Sequence, residues 1–262
     1  MAVPRARAWA LALSVPVVFA LVAVLLSAIP LASASPLAAS ALSAAPAAAG
    51  QSAGGHPTAG GVVRSLVRPS AAPVPVAWRL RPDAQVVFLT IDDGVDKDRR
   101  ALRLVERDRI PITAFVTTWT IKDQAEYFRR ITRWGSIQNH TSTHASLARS
   151  STDLDHEICG AQRVLKRTFG AKPWLLRPPY GQGFARMETQ ATARRCGVQK
   201  MVMWDAVVDR GRLDITNGRL RAGDVVLLHF TPHLAHDLQV ALRAARHAGL
   251  APASLADYLP AS

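Results

Sequence analysis

Residues 86–94 read VVFLTIDDG: an apolar run interrupted only by Thr90, then two aspartates and a glycine. So continuous a run does not suit a sheet with one face in water, where polar and apolar residues alternate. It predicts a strand covered on both faces, as in parallel sheets flanked by helices. Asp-Asp-Gly alone is only a turn signal. At the carboxyl end of a buried parallel strand it gains a second meaning, because such folds gather their functional groups there.

The neighbouring sequence repeats the pattern. Strand-like runs recur as ITAFVT (112–117), SIQN (136–139), WLLR (174–177), QKMVMW (199–204) and DVVLLHF (224–230). Helix-like stretches lie near 97–108, 121–134, 152–169, 184–196 and 235–248. This alternation predicts an α/β fold, a barrel-like β/α arrangement of about six to seven parallel strands, with an open doubly wound sheet as the alternative.

The strand ends carry the chemistry. After Asp92 and Asp93, the third run leads into His140 and His144, the fourth ends in Arg177-Pro178-Pro179-Tyr180-Gly181, the fifth in Trp204-Asp205 and the sixth in His229. Each has an ordinary explanation alone: a turn, two exposed histidines spaced for one helical face, an ion-pair arginine, a core tryptophan, a core histidine. Together they form a kit. A carboxylate with two histidines suits a divalent metal with open positions. A second carboxylate can take a proton from water, an arginine can keep it ionised, and a separate histidine can protonate a leaving amine. The reaction class is metal-assisted hydrolysis of an amide or ester.

The N-terminus sets the compartment. Arg5 and Arg7 precede an apolar run over about 8–32 that ends in Ala32-Ser33-Ala34, a small-x-small cleavage pattern. Residues 1–34 are expected to be a signal peptide or membrane anchor, with cleavage favoured because Pro16 and Pro30 interrupt the run. Residues 35–83, rich in Ala, Ser, Gly and Pro, read as a flexible linker, and 84–262 as the catalytic domain. The domain is then extracytoplasmic: secreted, or anchored to the outer face of the membrane. Cys159 and Cys196 are the only cysteines, so in that compartment they are a disulfide candidate; two buried free thiols are the alternative. The net charge of +13 is spread along the chain, without a basic block or interleaved aromatics. That argues against nucleic acid and for attraction to polyanions such as wall polymer.

The motifs resemble those of the NodB-homology polysaccharide deacetylases, the fourth carbohydrate esterase family, over roughly residues 84–258. TIDDG (90–94) is similar to the family's TFDDG, HTSTH (140–144) fits H-[ST]-x-x-H, RPPYG (177–181) fits the third motif, and LLH (227–229) fits L-x-H. The resemblance implies that Asp92 is the general base and that Asp93, His140 and His144 bind one divalent metal, most often zinc. It implies that Arg177 orients Asp92, that the backbone amide of Tyr180 helps stabilise the oxyanion, that Leu227 packs on the acetyl methyl and that His229 is the general acid. Trp204 becomes a groove wall, and the implied fold is a distorted (β/α) barrel with fewer than eight complete repeats. The fourth motif departs from the family: MWDAVVDRG has Val207 where an aspartate is usual, leaving Asp205 or Asp209 to support His229.

The expected activity is removal of N-acetyl groups from a polysaccharide containing N-acetylglucosamine, in the cell wall, by a monomer that touches the membrane only through an uncleaved anchor. An O-acetyl esterase acting on a glycan such as xylan would use the same machinery. A metal-containing wall-binding module with weak turnover is the rival from another class. The complete acid–base kit argues against it, since binding alone needs no proton transfer.

Overall fold

The structure, a computed structural model, describes residues 72–215 and 218–261. The expected signal segment, 1–34, and most of the expected linker lie outside the described residues. Among the described residues, no helix is long and apolar enough to cross a membrane.

The strands are β1 (Val76–Ala77), β2 (Val86–Asp93), β3 (Ile112–Val116), β4 (Ser136–Asn139), β5 (Leu175–Leu176), β6 (Lys200–Val202), β7 (Ala206–Asp209), β8 (Arg212–Ile215), β9 (Val225–His229) and β10 (Ala251–Pro252). The helices are α1 (Arg99–Asp108), α2 (Thr118–Ile121), α3 (Ala125–Ile131), α4 (Ala161–Phe169), α5 (Met187–Arg195), α6 (Leu234–His247) and α7 (Leu255–Tyr258). The sheet runs β1-β6-β5-β4-β3-β2-β9-β7-β8, and β10 pairs with the start of β2. Among the described residues, only the β7–β8 hairpin is antiparallel. The mostly parallel sheet curls into a half-barrel with helices, the distorted barrel expected from the sequence.

β2 shows how the sequence builds this architecture. With a two-residue period, Val87, Leu89 and Ile91 turn to one face and join Leu102 and Val105 of α1 and Leu238 and Ala241 of α6 in the main core. Phe88, Thr90 and Asp92 turn to the other face. Phe88 packs there with Phe115, Val225 and Leu255. Fully burying a side chain of this kind contributes about 1.5–3 kcal/mol. The second face therefore changes from apolar to charged along one strand, and Asp92 is held over a packed floor.

The turn after β2 explains its glycine. Gly94 has φ +99°, and a Cβ there would lie 2.5 Å from Thr120 Oγ1 and 2.9 Å from the Phe128 ring. Asp98 then caps α1, accepting from Arg100 N at 2.8 Å, and also accepts from Ala235 N at 3.2 Å in the first turn of α6. One carboxylate thus fixes the starts of two helices that flank the β2–β9 pair, a cap contribution of about 1 kcal/mol.

Several elements differ from the sequence reading. Residues 73–83, assigned to the linker, belong to the domain. Val74 and Leu80 are buried, and β1 pairs with β6. The stretch 121–134 is α2, a 3₁₀ turn at Lys122–Gln124 and α3; the stretch 152–169 is a π-helical turn at Asp155–Gly160 followed by α4. The fourth-motif segment forms the β7–β8 hairpin. Cys159, in the π-helical turn, and Cys196, capping α5, form a disulfide with Cα atoms 5.0 Å apart. Closing a loop across 37 residues contributes about 3–4 kcal/mol in the chain-entropy description.

Candidate active site

The carboxyl ends of β2, β4, β5 and β9 bring the predicted residues together. Asp92 and His229 are register partners on the adjacent parallel strands β2 and β9, and Thr90 and Leu227 are partners two residues earlier. Paired residues on parallel strands share a face, so Asp92, His229, Thr90 and Leu227 all belong to the inner side.

Asp92 is buried, with its Oδ1 2.7 Å from Arg177 Nη1. Arg177 is wholly buried and has no slack. Nη1 also donates to Thr90 Oγ1 at 2.8 Å, Nε donates to the Val202 carbonyl at 3.0 Å, and Nη2 to the Met203 carbonyl at 3.0 Å. Its guanidinium lies 4.3 Å from the Phe115 ring centre, within cation–π range. Burial pushes the Arg177 pKa down while Asp92 opposes the shift. The arrangement fits a guanidinium fixed as the orienting partner of one carboxylate.

Asp93 turns away from that floor. Its φ of +80° aims it to the rim, and its carbonyl accepts from Thr117 N at 3.0 Å and Thr120 Oγ1 at 3.0 Å. Asp93 Oδ1 lies 3.4 Å from His140 Nε2 and 3.2 Å from His144 Nε2. Asp92 Oδ2 is 3.6 Å from His140 Nε2. The two histidines meet, ring centres 4.9 Å apart, but not on a helical turn as their spacing suggested. Residues 140–144 form a loop with Thr141 at φ +73° and His144 at φ +66°. The loop's backbone bonds outward instead: Thr118 N donates to the Thr141 carbonyl, and Trp119 N to that of Ser142.

These residues fit a divalent cation. His140 Nδ1 is 2.7 Å from the Arg177 carbonyl, which can only accept, so Nδ1 carries a proton and Nε2 faces the two carboxylates. A neutral imidazole would direct a lone pair at those carboxylates, so the point demands positive charge. The His140 pKa responds accordingly: burial lowers it, but the charges of Asp92 and Asp93 outweigh burial and raise it. Burial would raise Asp93, yet His140 and His144 pull it well below the usual carboxylate range. Asp93 Oδ1 is buried without a hydrogen-bond donor, and one ligand atom from each of Asp93, His140 and His144 lies within 4.8 Å of the others. His144 Nδ1 is 3.1 Å from the Tyr180 hydroxyl, which fixes the ring with Nε2 inward. His144→Ala is expected to weaken divalent-metal binding by on the order of 100-fold or more, since outer partners alone are worth 10–100-fold. Metal content after gel filtration against zinc buffers measures it; equal content in both proteins would reject the assignment.

The remaining residues frame the opening. Tyr180 is exposed, with its backbone at φ +59°, in the short 3₁₀ turn at Pro179–Gly181. Trp204 is half-buried, and its ring comes within 3.1 Å of where a Cβ on Gly181 would lie. The fourth-motif acids do not reach His229: among the described residues, neither Asp205 nor Asp209 pairs with it. Asp205 accepts from Val225 N at 3.3 Å, at the opposite end of β9, and its pKa is raised by burial and by Asp224. Asp209 is exposed at the end of β7. Val207 is the register partner of Leu227, so an apolar side chain stands where the motif usually has an acid.

Sequence reasoning missed the residues that hold the loop from behind. Asn139 Oδ1 accepts from Thr141 N at 2.7 Å, and the Glu157 carboxylate accepts from Ser142 N at 3.1 Å and Thr143 N at 3.0 Å. Asn139 adjoins His140 in sequence and was within reach of a motif argument. Glu157 sits in a segment that reads as ordinary polar helix, and no sequence signal points to it.

Residues 79–201 match the family described as polysaccharide deacetylase. An uncharacterized protein of Streptomyces coelicolor is 36% identical over 198 residues, covering 71% of this chain and 77% of that protein. The peptidoglycan-N-acetylglucosamine deacetylase of Bacillus cereus is 31% identical over 157 residues, 56% of each chain, so the match spans little more than half of that relative. Among solved structures, a family 4 carbohydrate esterase from Bacillus anthracis has the same fold, with a TM-score of 0.58 at 22% identity over 72% of this chain and 89% of its own.

Proposed function

The chain belongs to the polysaccharide deacetylase family of carbohydrate-active hydrolases, and from that premise we propose that it is an extracytoplasmic, zinc-dependent enzyme removing N-acetyl groups from an N-acetylglucosamine-containing wall glycan. The observation that carries this reading is the register pairing of Asp92 with His229 beside the Asp93–His140–His144 cluster. It supports Asp92 as base and His229 as acid, on neighbouring strands beside one candidate cation site.

A divalent ion bound there supplies a Lewis acid and lowers the pKa of water. The protein does the rest. Asp92, held by Arg177, takes a proton from the water that attacks the acetyl carbonyl carbon. The Tyr180 amide donates to the oxygen that gains negative charge. Leu227, with Val207 beside it, offers an apolar surface to the acetyl methyl. His229 gives its proton to the sugar nitrogen as the carbon–nitrogen bond breaks. Water and amide become acetate and amine. Trp204 and Tyr180 flank the opening as surfaces for sugar rings.

The net charge of +13, which falls to +11 without Arg5 and Arg7 of the expected signal segment, supports a polyanionic substrate reached by an exported domain. The test is acetate release from peptidoglycan fragments, neutral chitooligosaccharides and acetylxylan, with and without chelator, across an ionic-strength series. Chelator should abolish release. The preference for peptidoglycan should shrink as salt rises, because exposed charges are screened beyond about 10 Å at 0.1 M. Equal salt response for charged and neutral glycans would remove the electrostatic argument, and acetylxylan as the sole good substrate would make the protein an O-acetyl esterase.

A further inference from the structure

The loop that carries His140 and His144 is gripped from behind by three successive residues of the π-helical turn. Glu157 is buried, and its carboxylate accepts from Ser142 N, Thr143 N and, at 2.7 Å, Thr143 Oγ1. Ser142 Oγ donates to the His156 carbonyl at 2.8 Å, and Asn139 Nδ2 donates to the Ile158 carbonyl at 3.2 Å. Inside the loop, His144 N donates to Thr141 Oγ1 at 3.1 Å. Thr141 and His144 both hold left-handed backbone without being glycine. Such conformations cost free energy and persist only where their surroundings impose them.

The gripping turn is itself an irregular element. π-helical turns are rare and need outside support. Here Cys159, two residues after Glu157, is joined by its disulfide to Cys196 at the end of α5. Ile158 is buried between them in sequence, and the exposed Asp155–Arg195 ion pair at 2.8 Å adds little. The disulfide is thus the one covalent link between α5 and the turn that carries Glu157. Neither Glu157 nor either cysteine is among the residues that surround the cation position.

We propose that Glu157 is a positioning residue for the His140–His144 loop and that the Cys159–Cys196 disulfide fixes Glu157, so that loss of either weakens metal binding without removal of a ligand. The inference rests on Asp93, His140 and His144 being a metal site.

The experiment is zinc affinity by competition with a chromophoric chelator, with cobalt spectra as a second readout. It compares wild type, Glu157→Ala, Glu157→Gln, the double variant Cys159→Ser/Cys196→Ser and the triple variant combining that pair with Glu157→Ala. Serine replacements are preferred to a reductant because free thiols beside Asp155 would bind zinc themselves. The expected result is a Kd raised about 10–100-fold in Glu157→Ala and in the double serine variant, the range typical of residues that orient ligands. Glu157→Gln keeps an acceptor for the two amides and should recover most of the loss. The cobalt d–d bands should shift in Glu157→Ala, which a merely destabilised scaffold would not produce in the folded fraction. The triple variant should bind no more weakly than the worse of its parents, because the two changes act through one element. If Glu157→Ala does not fold, Thr143→Val removes a single bond to the same carboxylate and should shift the Kd in the same direction by less. Wild-type affinity in Glu157→Ala, or additive losses in the triple variant, would overturn the inference while leaving the metal site intact. A wild-type protein that holds no zinc would overturn both.

Discussion

With Asp92 as the proposed base, Asp92→Asn is expected to lower kcat/KM by about 10²–10⁴-fold, the usual contribution of general-base catalysis, while retaining divalent metal at the wild-type level. The two carboxylates are neighbours in sequence but have separate surroundings. Asp92 stays on the inner face, bonded to Arg177 at 2.7 Å, whereas Asp93 turns with φ +80° toward the two imidazoles. Asparagine preserves the shape of residue 92 and an acceptor for Arg177 Nη1, so the fold has no reason to change. What it loses is the capacity to take a proton. Zinc content and acetate release on the same preparation separate the roles, and loss of metal in Asp92→Asn would show that they are exchanged.

Arg177→Met is expected to lower the free energy of unfolding by about 3–5 kcal/mol, the cost of leaving one member of a buried ion pair without its partner. Arg177 bonds to four acceptors: Asp92, Thr90 Oγ1 and the Val202 and Met203 carbonyls at the end of β6, and methionine offers none of them a donor. Adding Asp92→Asn to Arg177→Met should recover part of that loss, because the stranded carboxylate is then neutral. Denaturant melts of the two single variants and the double variant give the coupling directly. Strict additivity would mean that Arg177 stabilises the protein through packing against Phe115 and the β6 carbonyls, and that its contact with Asp92 contributes nothing to the fold.

The sequence was most legible where one strand does one thing. β2, β3, β4 and β9 lie within the apolar runs or extend them by at most two residues, since buried parallel strands leave a continuous signal. The acids, the histidines and Arg177 were legible because strand ends in this architecture point to one rim. Three features were hidden, each for its own physical reason. Residues 73–83 look like spacer because Pro73, Pro75 and Pro82 dominate them, although Val74 and Leu80, on either side of a two-residue strand, supply core contacts. The β7–β8 hairpin was passed over because its central Arg210-Gly211 was read as part of a damaged motif, while the φ of +47° and +77° at those residues makes a tight turn. Glu157 was hidden because a buried carboxylate is recognised by the amides it serves, and those lie fourteen and fifteen residues earlier in a loop of unusual backbone.

The pairing of β2 with β9 also decides when activity can begin. Asp92 belongs to the first long strand and His229 to the last, and the hydrogen bond from Thr90 Oγ1 to the Val226 carbonyl beside them closes a span of 136 residues. Contacts of such long range form late, because the chain must give up its loop entropy before they reward it. While β9 is undocked, the parts of the site contributed by β2, β4 and β5 lack His229, the proposed proton donor. On the proposed mechanism a newly made chain is therefore inert toward its substrate, and hydrolysis starts only when β9 has docked.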